Sequence, residues 1–301
     1  NRGQAKFNEQ FVAKHTENLK KFDAISVRER YAVDTARDVF GVEATQVVDP
    51  VFLLPTEDYE ALAAKATTKV EGEYLAVFLL DPTPEKKRVA MDVANKLGLQ
   101  KIVVIPNPDG GLKAAHQLFK DEPQVEIMGE DSPENFLYAY SKAQYVLTDS
   151  FHGTAFAVIF GKPFSSIYNT KRGADRFKSL MQSLGLGESR RVLETDEADK
   201  IGENPNITRN IDLSKAKSYI ETGRKSSLNW LQSALSGQTQ RSGLLGAVKS
   251  ILKPKSEDDD ADPGLIRNPV FTPKNDAWRV QSQKDAARLA VAPGGAVRGN
   301  M

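Results

Sequence analysis

From Tyr74 onward the chain alternates short apolar runs with helix-forming stretches, and no other feature narrows the fold so far. Leu75–Leu80, Lys101–Ile105, Val125–Met128, Tyr145–Leu147 and Phe164–Tyr168 read as buried strands. Between them Pro84–Leu97 reads as a helix ending at Gly98, and Pro133–Lys142 as another. A third follows Thr148-Asp149-Ser150, is apolar on nearly all sides, and ends at Gly161 before Pro163. Strands separated by helices of this length are joined by right-handed crossovers, so the sheet is parallel and doubly wound. Arg191–Leu193 reads as a closing strand, and Pro106–Gly111 as a plain loop, since Asp109-Gly110-Gly111 lacks the spacing and lysine of a phosphate loop.

The chain before Tyr74 carries less. Phe7–Lys21 reads as an amphipathic helix, Ala24–Val27 as a short buried strand, Tyr31–Phe40 as a helix closed by Gly41, Gln46–Val48 as a strand, and Thr56–Ala66 as a helix and linker. Arg28 falls at the carboxyl end of its strand, the edge where open α/β sheets gather ligands; a surface ion pair with Glu29 or Asp34 is the plainer reading. Asp49, just before Pro50, either faces such a cleft or does turn chemistry. The organisation expected is residues 1–69 as the carboxyl part of a first domain, 70–195 as a second domain, 196–236 as a connecting segment and terminal helix, and 237–301 as an acidic linker and tail or the start of another module. The first domain is too small to be a whole unit, and the chain, opening at Asn1, is expected to be a piece of a longer protein.

Charge and composition mostly exclude. The 41 basic and 40 acidic residues nearly cancel, which gives no reason to expect nucleic acid or an anionic membrane as partner. Cysteine is absent, so disulfides and thiolate metal sites drop out, and a reducing compartment fits. No apolar run reaches the roughly 20 residues of a membrane span, and the default location is cytoplasmic. His15, His116 and His152 fall on separate elements, so neither a metal nor another cofactor is expected.

Chemistry concentrates in Tyr145–Phe164. Thr148, Asp149, Ser150, His152 and Thr154 cluster inside an otherwise greasy segment, where polar groups need a reason. His152 and Gly153 fall in the first turn of the helix, whose unpaired N–H groups and positive dipole end attract phosphate or carboxylate. Read on their own, His152 is a capping or packing residue and Asp149 an N-cap.

Thr148-Asp149-Ser150-Phe151-His152-Gly153-Thr154, the apolar helix and Gly161-Lys162-Pro163-Phe164 together resemble the signature of the polysaccharide pyruvyl transferase family. Phe22–Glu29 and Val48–Leu54 stand in that family's order, and the likeness spans Phe7 to Leu186. The resemblance implies two Rossmann-like α/β domains facing a cleft, as in the GT-B architecture, with the N-terminal one incomplete here. It implies a transferase that moves the enolpyruvyl group of phosphoenolpyruvate onto two hydroxyls of a saccharide or lipid-linked saccharide as a cyclic ketal, in cell-surface polysaccharide biosynthesis. His152 and Asp149 then take catalytic roles. Arg28, Ser150, Phe151, Gly153, Thr154, Arg172 and Arg176 bind the anionic donor. One branch of the family has an arginine two positions before the histidine; here that position is Ser150, which leaves Arg172 or Arg176 to substitute. Two alternatives stay open: a GT-B glycosyltransferase using a nucleotide sugar, and a non-catalytic carbohydrate-binding module.

Overall fold

The computed structural model describes residues 7–108, 111–129, 132–168, 174–186, 192–194, 207 and 210–236. The chain divides into two compact units, one reaching Val47 and taking up the chain again at Trp230, the other running from Val48 to Asn229.

In the first unit, α1 (Glu9–Leu19) is capped by Asn8, whose Oδ1 accepts from the Gln10 N–H at 2.9 Å. Strand β1 (Ser26–Val27), α2 (Arg30–Phe40) and β2 (Thr45–Gln46) follow, and β1 and β2 pair in parallel, Ser26 beside Thr45. Gly41 ends α2 at φ 59°, the left-handed conformation that glycine reaches without steric cost.

The second unit opens with a 3-10 turn at Pro50–Phe52 and α3 (Thr56–Ala63). It then alternates as the sequence predicts: β3 (Leu75–Phe78), α4 (Pro84–Leu97), β4 (Ile102–Ile105), α5 (Gly111–Phe119), β5 (Val125–Ile127), α6 (Pro133–Lys142), β6 (Tyr145–Thr148), α7 (Phe151–Ile159), β7 (Phe164–Tyr168), α8 (Ala174–Ser183), β8 (Val192–Glu194) and α9 (Ser214–Leu235). Every pair in the six-stranded sheet is parallel and the order is β5-β4-β3-β6-β7-β8. This is the doubly wound dinucleotide-fold order. The α/β class with parallel sheets expected from the alternation is what the chain adopts.

Helices cover both faces, which is why the strands read as unbroken apolar runs. Along β3, Leu75 and Val77 pack with Val89, Val93, Ile102 and Val104, while Ala76 and Phe78 pack on the other face with Val146, Ala155 and Tyr140. Helix α5 departs from the loop that the sequence predicts up to Gly111. Leu112, Ala115, His116 and Phe119 have helical spacing, but the glycines ahead of them read as loop; Asp109 and Gly110 lie outside the described residues. Among the described residues no helix is long and apolar enough to cross a membrane.

Candidate active site

The chain moves outward from β3 through β4 to β5, then returns to lay β6 against the other side of β3. At this reversal the crossovers leave in opposite directions, and the carboxyl ends of β3 and β6 are the general ligand position in such sheets. Phe78 and Thr148 are those ends, in register with each other. Asp149 comes next in the chain.

Side chains tie this switch point together. Thr148 Oγ1 donates to the Phe78 carbonyl at 2.8 Å. The Asp149 carboxylate accepts from Leu80 N–H at 2.6 Å on Oδ1, and from Asp81 N–H at 3.1 Å and Lys86 Nζ at 2.5 Å on Oδ2. Both charged side chains are almost wholly buried, at 4% and 5% exposure. A buried ion pair holds only when hydrogen bonds satisfy the remaining capacity, and here the Lys86 ammonium also donates to the Asp81 carbonyl at 2.8 Å. Asp149, expected to be a catalytic group, has its oxygens engaged with the β3–α4 connection. Ser150, not Asp149, caps α7, its Oγ accepting from Gly153 N–H at 3.2 Å.

The polar residues around this turn divide by depth. Thr154 is fully buried, donating to the Ser150 carbonyl at 3.0 Å and sharing a 2.6 Å hydrogen bond with Ser166. Ser150 is 5% exposed. Gly153 admits no side chain, since a Cβ there would run into Thr148 Oγ1 and lie 2.8 Å from the Tyr140 hydroxyl. These three, expected to contact the donor, build the turn from beneath. Burial pushes the Tyr140 phenol well above its ordinary range. Thr148 lies close enough to counter a little of that shift, yet the Tyr140 hydroxyl makes no hydrogen bond of good geometry.

His152 is what the turn presents outward. It is the second residue of α7, its side chain 54% exposed, with Nε2 3.7 Å from Asp49 Oδ2. Asp49 is buried and caps the 3-10 turn, Oδ1 accepting from Val51 N–H at 3.1 Å. Its charge is felt nearby: burial first, and Asp49 second, push the Tyr59 phenol up. Phe151 stands edge-on to the His152 ring at 5.4 Å, and the Arg176 guanidinium lies over the Phe151 ring at 5.8 Å. The structure thus brings His152, Phe151 and Arg176 together at the start of α7 and adds Asp49, which the sequence left undecided between cleft and turn. Of the two readings of Asp49, turn chemistry is the one its cap on Val51 N–H displays.

Arg172 lies outside the described residues. Arg28 follows β1 in the first unit, its guanidinium 3.4 Å from Glu29, with 31% of the side chain exposed; this is the ion pair offered as the plainer reading. Lys86 gave no signal, because a lysine in the first turn of an amphipathic helix looks like any solvated charge.

The family model described as polysaccharide pyruvyl transferase matches residues 3–171. Among solved structures, a UDP-GlcNAc 2-epimerase of Methanocaldococcus jannaschii, in complex with UDP-GlcNAc and UDP, aligns at 17% identity over 64% of this chain and 59% of that one, with a TM-score of 0.41. A sucrose-phosphate synthase of Thermosynechococcus elongatus aligns at 15% identity over 81% and 64%, with a TM-score of 0.38. The chain thus spans about three fifths of the length of either protein. No curated protein matches it.

Proposed function

The chain belongs to the polysaccharide pyruvyl transferase family, and from that premise we propose that it transfers the enolpyruvyl group of phosphoenolpyruvate to two hydroxyls of a saccharide or lipid-linked saccharide. The product in this reading is a cyclic ketal of a cell-surface polysaccharide precursor, formed in the cytoplasm. One acceptor hydroxyl adds to the enol carbon as the methylene carbon takes a proton; the second hydroxyl then displaces phosphate and closes the ring. The steps need a group that gives and takes protons near neutral pH and a fixed positive field for a highly anionic donor.

The observation that carries the reading is His152, exposed at the first turn of α7 beside the switch point of the sheet, with the Arg176 cation one ring away over Phe151. We assign His152 the proton transfers, and Arg176 and the amino end of α7 the donor's charge. Arg28 and Arg172 complete the proposed donor set, and Phe151 stacks with Arg176 to aim it. Ser150, Gly153 and Thr154 serve by shaping the turn. Asp149 is a positioning residue that holds the β3–α4 connection against β6.

Ketal formation from phosphoenolpyruvate and an acceptor saccharide, followed on the full-length protein, tests this directly. His152→Ala is expected to lower turnover by about 100-fold or more, the range for removing a general acid–base, while leaving the unfolding midpoint near its original value. Unchanged turnover removes His152 from the mechanism. Phosphoenolpyruvate should also raise the unfolding temperature where nucleotide sugars do not; the reverse result favours a glycosyltransferase.

A further inference from the structure

Asp49 is more than the cap of a turn. One oxygen holds Val51 N–H, and the other faces His152 Nε2 at 3.7 Å from a side chain only 4% exposed. The backbone around it is anchored on both sides, since Val48 N–H donates to Ser227 Oγ at 3.0 Å and Arg224 donates to the Phe52 and Leu54 carbonyls at 2.9 Å each. The carboxylate is therefore fixed, whereas the imidazole opposite is half in solvent. A distance of 3.7 Å exceeds a hydrogen bond, but catalytic contacts are often long before substrate binds.

We propose that Asp49 is the positioning residue for His152: it accepts from Nε2–H, and so leaves the Nδ1 lone pair as the site that exchanges protons with the substrates. This rests on the reading of His152 as the proton-transfer group. The same oxygen that steadies the turn then selects the imidazole tautomer. Among the described groups nearby, Arg224 donates to backbone carbonyls and the Tyr59 hydroxyl donates to the Val51 carbonyl at 2.9 Å.

Imidazole nitrogen NMR on the full chain with labelled histidine reads the tautomer directly. The chain has three histidines, and His152 is assigned by the signal lost in His152→Gln. The wild-type signal should be dominated by the Nε2–H form. Asp49→Asn keeps the capping oxygen for Val51 and turns its amide NH2 toward the ring, so the tautomer should invert to Nδ1–H. Asp49→Ser keeps a capping hydroxyl too short to reach the ring, so the preference should fade; both variants should lower kcat by about 10–100-fold with little change in KM for phosphoenolpyruvate. The two variants check each other should one fold poorly. An unchanged tautomer population in whichever variants fold overturns the proposal, even if turnover falls. An inverted tautomer together with full turnover in His152→Gln would instead sink the reading of His152 and leave the contact standing.

Discussion

At the scale of single residues the site rests on groups that no longer have room to change. Gly153 sits where α7 presses on β6, and a methyl group there would enter the space of Thr148 Oγ1 and the Tyr140 hydroxyl. Neither neighbour is a loose side-chain tip, since Thr148 is bonded to Phe78 and Tyr140 is wholly buried. Gly153→Ala is expected to destabilise by about 1–3 kcal/mol, the usual cost of overpacking, seen as an earlier midpoint in urea. Lys86→Met is expected to cost more, about 3–5 kcal/mol, because it strands the buried Asp149 charge; the double variant Lys86→Met with Asp149→Leu should recover much of the loss, and a double variant no better than the single would show that the pair is not the cause. His152 was legible because a polar cluster in an apolar segment demands explanation. The engagement of Asp149 with Leu80, Asp81 and Lys86 was not, because it joins positions more than sixty residues apart, which spacing in one stretch does not report.

Among the elements, those with strong local punctuation were read to the residue: Thr83 and Ser132 cap α4 and α6, each followed by proline at the first helical position, and Gly98 closes α4 at φ 67°. Those without it were missed or blurred, as α5 was. The element that matters most to the site is α9. Its Arg224 and Ser227 hold the segment from Val48 to Leu54 that carries Asp49. Arg224→Met keeps much of the apolar stem and removes both donations. Amide exchange at Phe52 and Leu53, whose N–H groups close the 3-10 turn onto the Asp49 and Pro50 carbonyls, should quicken several-fold in that variant. Amides of β3 and β6 should be unaffected; equal quickening throughout would mean that the whole unit, not the turn, had loosened.

For the molecule as a whole, the parallel sheet was legible because strands buried on both faces leave an uninterrupted apolar signature, while strand order was not, since β3 and β6 look alike to a local pattern. Burial of aromatic hydroxyls in that sheet and its helices gives a pH limit. Burial pushes the phenols of Tyr74, Tyr140 and Tyr219 above the ordinary value of 10.0. A raised folded value means that the folded state holds the proton more tightly, so this stabilisation is complete below the unfolded value and is lost as pH climbs above about 10. Unfolding free energy should therefore fall beyond that pH, with phenolate absorbance rising in step with loss of helix. Tyr140→Phe, which removes a hydroxyl without a good partner, should flatten the decline; an unchanged slope would mean that other groups govern it.

The bonds that Asp149 makes to Leu80, Asp81 and Lys86 also set a schedule for synthesis. A nascent chain has β3, β4 and β5 in hand long before β6 leaves the ribosome. Until then one flank of β3 is an open apolar edge and the Lys86 ammonium has no counter-charge. Contacts of such long sequence separation form slowly. The switch point between β3 and β6 is thus completed late in folding, since these contacts cannot form until residue 149 emerges.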